Sequence, residues 1–575
     1  MGDPSKLHFF QPTKATWETS RAEDRPIILI FCEELCSTCE TLEQKIFSAP
    51  SVQSVLTTQY IPIQIDVHRF PELYERFSDN QGWPHPIHCA SHGEFVGYCN
   101  EDSPRAILSS LERLKQQLSR DKNPDLEFDG EISLNVPGAN SPQLNPKTFE
   151  LIAETTLSFL LERYDKKDGG WPEQGGTKHH FSSAIEFLLL LYHRSRDGSL
   201  LNLVLELYNT TVKGLQDPKE NGFYHAATYN WQPLDKRKTL ENNIAISQNI
   251  FHTYQLTGDL RILKTVEKTF SFMKKSLWDK SVGMFRYGAT TGKLYSYFDP
   301  KGNCDVASLI LDTNEIFLRK FGESSNLGYV ESIVRILTSH ETEYGIPHDI
   351  LNPHENQFLL RDQAAYLNLL LRLYSNTGKY LDRVIHMTNM VTSHYLDSKN
   401  FLFSDRVSFP VFEFQPLSKA LYRIQDTAAL VRNLTILSHL TGEPKWRDMA
   451  TRCIASYSSY LDVSREVPFP PEFVISLYHL IESPIEVLIF GKPNNSVVQG
   501  ILAEVKMIYE PFKIIQLLNP ETDSHLIKKR IPEAQLFPRP VAYIKIDNML
   551  SPPAFTPKEI QTMLHSLVQA IEMNS

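Results

Sequence analysis

Cys36-Ser37-Thr38-Cys39 follows the apolar run Pro26-Ile-Ile-Leu-Ile-Phe31 after four residues and opens a helix-like segment, Glu40 to Phe47. A strand that delivers a dithiol to a helix N-terminus is an arrangement for thiol chemistry. Exposed backbone N–H groups and the positive end of the helix dipole favour thiolate at the first sulfur, which makes Cys36 the nucleophile and Cys39 the resolving partner. An inert pair and a metal site are the competing readings. Zinc needs two further ligands at metal spacing, and Cys32, Cys89, Cys99, Cys304 and Cys453 form no second C-x-x-C, so no metal is expected. A second set of candidate residues lies further along. Asn242, Asp362 and Asp426 each precede by fifteen residues the threonine of a Thr-Gly pair, at Thr257, Thr377 and Thr441. Carboxylates that converge on one pocket can serve as general acid and base. Glu241, Asn243, Arg361, His179, His180, His348 and Glu413 stand beside the same segment starts. Asp and Asn at a helix start are also its usual caps, so capping is the competing role.

The apolar runs between these residues and the Thr-Gly pairs fit helices of about four turns, and each glycine fits a left-handed C-terminal cap. Weaker copies begin at Phe181 and Cys304, and loops bearing glycine and an aromatic, such as Asn221-Gly-Phe223 and Gly283-Met-Phe285, precede the helices of strong and weak copies alike. Leading helices near residues 147, 200, 260, 326, 380 and 444 alternate with following ones near 181, 241, 304, 361, 425 and 471. A repeat of this kind means stacked helical hairpins, and six can close into an (α/α)6 toroid. The second helix of each hairpin then lines the centre with its N-terminus in the mouth. That placement is what would bring Asn242, Asp362 and Asp426 together.

Around the dithiol the elements run in another order: a strand at Tyr60–Asp66, a short helix at Glu72–Phe77, Gly82-Trp83-Pro84-His85-Pro86-Ile87, a strand at Glu94–Tyr98 and an amphipathic helix at Pro104–Leu118. This order is similar to the thioredoxin fold. The resemblance implies a cis-proline facing the dithiol and presenting backbone to an extended substrate; Pro84, beside Trp83, is expected in that role, and Pro86 is the alternative that merely starts a strand. Thioredoxin keeps a buried carboxylate six residues before its first cysteine, but here that residue is Ile30. A proton relay must come from Glu33, Glu34 or water.

Residues 1–118 are therefore read as a thioredoxin-like domain, 119–146 as a linker rich in turn formers, 147–483 as the barrel and 484–575 as a small α/β extension. In the extension Phe490-Gly491-Lys492-Pro493 lacks the residues of a phosphate-binding loop, and no cofactor is expected. The net charge of −10 over 575 residues is spread without long runs, which argues against nucleic acid or an anionic membrane as partner. No apolar run approaches membrane-spanning length, and Met1 to His8 lacks the pattern of a signal peptide. With seven cysteines, few and odd in number, these features lead to the expectation of a cytoplasmic protein.

The succession of Arg25-Pro-Ile, Cys36-x-x-Cys39, Phe47, Gln64-Ile-Asp66, Gly82-Trp83-Pro84, Lys238-x-Leu240-x-Asn242-Asn243, Ile485-Glu-Val, Val541-Ala-Tyr543 and Ser551-Pro-Pro resembles the spermatogenesis-associated protein 20 family. The resemblance implies a thioredoxin-like domain on a barrel similar to six-hairpin glycosidases and sugar 2-epimerases. It also exposes departures. Ser37-Thr38 stands where family members carry His-Trp, which implies a less acidic Cys36. Pro233-Leu-Asp-Lys236 replaces a stretch with a His and an acid, and an Asp-Ala-Asp-Ser stretch has no clear counterpart near residues 296–305. Three functions follow as expectations. The first is thiol-disulfide exchange or redox sensing, with a protein disulfide or small thiol as partner. The second is a carbohydrate-active or carbohydrate-binding barrel, and the third a non-catalytic interaction protein.

Overall fold

In the computed structural model, residues 7–77, 85–99, 103–120, 144–173, 175–353, 357–407, 417, 420–457 and 469–574 are described. The chain forms two compact units. The first comprises Met1–Ser133 with two later segments, Leu351–Leu359 and Ser404–Tyr422, and the second comprises Leu134–Ile350, Leu360–Phe403 and Arg423–Ser575.

The first unit runs α1 (Lys14–Ala22), β1 (Ile27–Cys32), α2 (Ser37–Leu42), α3 (Pro50–Gln59), β2 (Ile61–Asp66), α4 (Pro71–Phe77), β3 (His85–Cys89), β4 (Phe95–Tyr98) and α5 (Pro104–Arg120). Its sheet has the order β2-β1-β3-β4, with β1 and β2 parallel and β3 and β4 antiparallel. Every residue of β1 is buried, because helices cover both faces. Ile27, Leu29 and Phe31 point to the side of Trp17, Leu73 and Phe77, whereas Ile28 and Ile30 point to the side of Leu56, Ile107 and Leu111. Helix α2 runs on into a π turn, Glu43–Phe47, and the sequence reading ran these together. It also passed over α3, which buries only Val52 and Leu56 and so has a faint apolar period. Within this unit the later segments are tied down by a buried two-pronged ion pair, Arg76 Nη1 to Asp405 Oδ2 at 2.7 Å and Nη2 to Oδ1 at 3.1 Å.

In the second unit, outer and inner helices alternate: α6 (Pro146–Arg163), α7 (Ser182–Ser195), α8 (Gly198–Leu215), α9 (Leu240–Thr257), α10 (Leu260–Phe272), α11 (Pro300–Phe321), α12 (Leu327–Ser339), α13 (Leu360–Thr377), α14 (Leu381–Tyr395), α15 (Ile424–Thr441), α16 (Pro444–Ser456) and α17 (Pro471–Ile481). Contacts α7–α9–α11–α13–α15–α17–α7 close a ring of six inner helices. The toroid is thus as expected, but its tight hairpins join each inner helix except α17 to the outer helix after it. The reason lies in the turns: Gly258, Gly378 and Gly442 take positive φ (67°, 68° and 67°) just after α9, α13 and α15 and reverse the chain within a few residues.

The opposite connections, outer to inner, are long, and four of them repeat one device. Asp165, Asp217, Asp279 and Asp397 each accept, through the backbone oxygen, the N–H of the residue four ahead at 2.8 Å. Each also accepts, through Oδ1, the N–H two ahead. The residue four ahead has positive φ: Gly169 at 75°, Asn221 at 65°, Gly283 at 83° and Phe401 at 56°.

The chain ends with β5 (Ile485–Phe490), α18 (Ser496–Met507), β6 (Lys513–Leu518), α19 (Ser524–Arg530), β7 (Val541–Ile546), β8 (Met549–Leu550) and α20 (Pro557–Asn574). Its sheet order, β6-β5-β7-β8, and its strand senses repeat those of the N-terminal sheet. Pairing of Phe490 with Val541 mirrors Phe31 with His85. Helices α18 and α20 pack together on one face and Ile527 of α19 lies on the other, so this piece repeats the thioredoxin topology without a cysteine. It plugs the toroid at the C-terminal ends of the inner helices: Tyr509 is buried among Ile185, Leu188 and Leu189, and Lys506 Nζ donates to Leu311 O at 2.7 Å.

Candidate functional sites

The first site belongs to the N-terminal unit. Backbone N–H of Cys36 donates to Glu33 O at 3.2 Å, which turns the chain sharply out of β1 and leaves Cys36 as the N-cap of α2. Cys36 Sγ accepts the Cys39 N–H at 3.2 Å and faces Cys39 Sγ at 2.6 Å. Both residues are half-buried. Contact with the Cys36 sulfur, followed by burial, holds the Cys39 thiol well above its ordinary range, so Cys39 keeps its proton while Cys36 receives the helix N–H. Behind Cys39 lies a small cavity lined by Ile30, Cys32, Leu42, Phe47 and Gln64, with the exposed Glu43 also on its wall. It stands beside the residue that replaces thioredoxin's buried acid. Of the expected relay groups, Glu33 directs its carboxylate to His68 Nε2 at 3.0 Å, and the Glu34 amide donates to Asp66 Oδ2 at 3.0 Å. Cys32 is buried in β1, and burial, with the Asp66 charge, pushes its thiol up to about 12. The expected Trp83 and Pro84 lie outside the described residues. Pro86 sits within β3 opposite Ile30, where its carbonyl accepts the Cys99 N–H at 2.9 Å.

A sequence profile described as thioredoxin-like matches residues 12–88, which span β1, the dithiol and β3. The N-terminal domain is thioredoxin-like. Spermatogenesis-associated protein 20 of Homo sapiens is 22% identical over 290 residues, and that of Rattus norvegicus is 28% identical over 292; each match takes in 47% of this chain and 37% of the relative. The matches thus span little more than a third of those relatives' length. Among solved structures, a D-mannose isomerase aligns with a TM-score of 0.47 at 11% identity, covering 59% of this chain and 98% of its own. The cellobiose 2-epimerase of Spirochaeta thermophila aligns with a TM-score of 0.48 at 15% identity, covering 60% and 98%.

The second site lies at the N-terminal ends of the inner helices of the barrel. Asp362, in the first turn of α13, binds His348 Nδ1 through Oδ2 at 2.7 Å. His348 Nε2 meets Tyr297 Oη at 2.9 Å, and that hydroxyl donates to His348 O at 3.3 Å. Burial alone would lower the His348 imidazole, but the charge and hydrogen bond of Asp362 outweigh it and raise the group to about 9. Asp299 caps α11 by accepting Gly302 N at 3.0 Å, and burial raises its carboxyl despite Arg361, whose Nη2 is 3.9 Å away. Arg361 Nη2 also lies 3.6 Å from Glu241 Oε1, which Lys301 Nζ meets at 3.2 Å. Asp426 pairs with Arg423 at 3.6 Å, and its field reaches Arg361.

Glu241, Arg361, Asp362 and Asp426 thus share one mouth, with His348. Two of the expected residues do other work. Asn242 donates to Tyr224 O at 3.0 Å, and buried Asn243 clamps Phe223 by accepting its N–H at 2.7 Å and donating to its carbonyl at 3.2 Å. Asn303 holds Phe285 and Gln363 holds Ile346 in the same way, one repeat apart each time. His179 and His180 stand elsewhere, bonded to His225 O and to Thr211 and Asn249. Glu413 lies outside the described residues. The sequence reading missed Asp299 and the tyrosines. The signal for Asp299 was an Asp-Pro step at a helix start, an N-cap followed by proline at the first helical position.

Proposed function

We propose that the N-terminal domain carries out thiol-disulfide exchange through Cys36 and Cys39. The observation that carries this reading is the meeting of the two sulfurs at a helix start, with Cys36 Sγ receiving the Cys39 N–H. Cys36 thiolate attacks one sulfur of a substrate disulfide and releases the other as thiolate. Cys39 then loses its proton and attacks Cys36 Sγ, which frees the second substrate thiol and leaves a Cys36–Cys39 disulfide. Two electrons pass to the substrate, and an external dithiol restores the reduced pair. A Cys39→Ser variant is expected to hold a covalent partner through Cys36 when exposed to a disulfide-bonded protein, and reductant should release it. No adduct with that variant, together with no reduction of a model disulfide by the wild type, overturns the reading.

A second reading has its own observation. Among the described residues, Asp299 Oδ1 and Asp362 Oδ1 lack a hydrogen-bond donor and Arg361 Nε lacks an acceptor, all three buried in one mouth. Unmet acceptors beside an unmet donor match the hydroxyl groups of a polyhydroxylated ligand, each of which both donates and accepts. With this reading the barrel binds a carbohydrate. A panel of sugars should include one that raises the melting temperature of the full chain, and Arg361→Gln should remove that rise; no rise with any sugar contradicts it.

A further inference from the structure

Three side chains in the barrel mouth, Asp299, His348 and Asp362, bring one nitrogen or oxygen atom each within 4.8 Å of the other two. They come from three places in the repeat: the cap of α11, the first turn of α13, and the loop before α13. All three are buried, at 2%, 1% and 0% exposure. The carboxylates are half satisfied. Asp299 spends Oδ2 on the Gly302 N–H and Asp362 spends Oδ2 on His348, while both Oδ1 atoms have no donor among the described residues. A bare carboxylate oxygen in a site without water contact is costly, and two beside one imidazole require a shared explanation. Arg361 is a poor one, since its Nη2 stands 3.9 Å from Asp299 and is shared with Glu241.

We propose that Asp299, His348 and Asp362 form a divalent-cation site. One imidazole nitrogen with two carboxylates is a mixed N/O set that suits Mn2+ or Zn2+ better than Mg2+ or Ca2+, which take oxygen almost throughout, or a thiophilic ion. The cation replaces the proton between His348 Nδ1 and Asp362, and that proton leaves to solvent. Tyr297 Oη on Nε2 then fixes the ring, as a hydrogen-bond partner on the other nitrogen of a ligating histidine does. The site is independent of the thiol chemistry, and it gives the two Oδ1 atoms an occupant other than a sugar hydroxyl.

Mn2+ alone is the probe, used on the full chain after chelator treatment and with its thiols alkylated so that Cys36 and Cys39 cannot contribute. Titration followed by electron paramagnetic resonance should show one tight Mn2+ per chain, with the coupling of one directly bound imidazole nitrogen in the pulsed spectrum. Asp299→Asn and Asp362→Asn should each weaken binding tenfold or more. Should either variant fail to fold, the nitrogen coupling in the wild type still decides. No bound Mn2+, a spectrum without a nitrogen ligand, or affinity unchanged in folded variants overturns the site.

Discussion

Cys36 and Cys39 differ in a single respect that matters for exchange: one sulfur accepts a helix N–H, whereas the other is held protonated against it. Alkylation should therefore be ordered. Iodoacetamide is expected to modify Cys36 first, roughly tenfold or more ahead of Cys39, in a peptide-resolved mass-spectrometric time course. Equal rates at the two thiols would show that the cap does not distinguish them. Asn303 makes a different residue-scale case. It accepts the Phe285 N–H and donates to the carbonyls of Phe285 and Asp299, all buried. Asn303→Ala should cost about 2–3 kcal/mol in denaturant unfolding, because the partners it leaves behind cannot reach water.

Among the elements, the loops between outer and inner helices are acid-sensitive. Asp165 and Asp217 are desolvated, yet the ammonium groups of Lys178 and Lys238 and the loop N–H groups hold both carboxyls down at about 2. Asp279 is held at about 2 first by Ser281 and then by Arg286, against its own burial. Folded values below the ordinary carboxylate range mean that these groups add stability above about pH 4 and lose it as pH falls toward 2. Acid unfolding followed by circular dichroism should be shallower in Asp217→Asn than in the wild type across that window; parallel curves would contradict the assignment. These elements also show what a sequence can and cannot reveal. Thr-Gly turns and the spacing of Asn242, Asp362 and Asp426 placed the inner helices within a few residues, because helix length and a left-handed cap are local properties. Asp299 stayed hidden because Gly302 occupies the register position that Asn242 and Asp362 hold, so α11 broke the pattern used to find the mouth. Asn242 and Asn243 have the residue type and position of pocket groups, since nothing in a sequence tells an amide that clamps the preceding loop from one that faces a cavity.

At the scale of the whole molecule, one topology appears twice, at the N-terminus with a dithiol and at the C-terminus without one. The N-cap of α18 is Asn495 where that of α2 is Cys36, so only the first copy carries a dithiol while the second seals the toroid. Tyr509 is the plug. Tyr509→Ala should cost about 3 kcal/mol or more in unfolding and leave the alkylation rate of Cys36 unchanged, since the two residues belong to different compact units. A loss of Cys36 reactivity in that variant would show that the units are coupled. Neither the plug nor its partners His193 and His252 carried a sequence signal, because burial across the toroid's axis joins residues hundreds of positions apart.

Exchange between Cys36 and Cys39 is tested by equilibrating the full chain with glutathione buffers of stepped ratio, followed by acid quenching and mass spectrometry. A single two-electron transition confined to the peptide bearing Cys36 and Cys39, with Cys32, Cys89, Cys99, Cys304 and Cys453 still reduced, is the predicted result. A pair that stays reduced at every ratio, or oxidation spread over the buried cysteines, would contradict it.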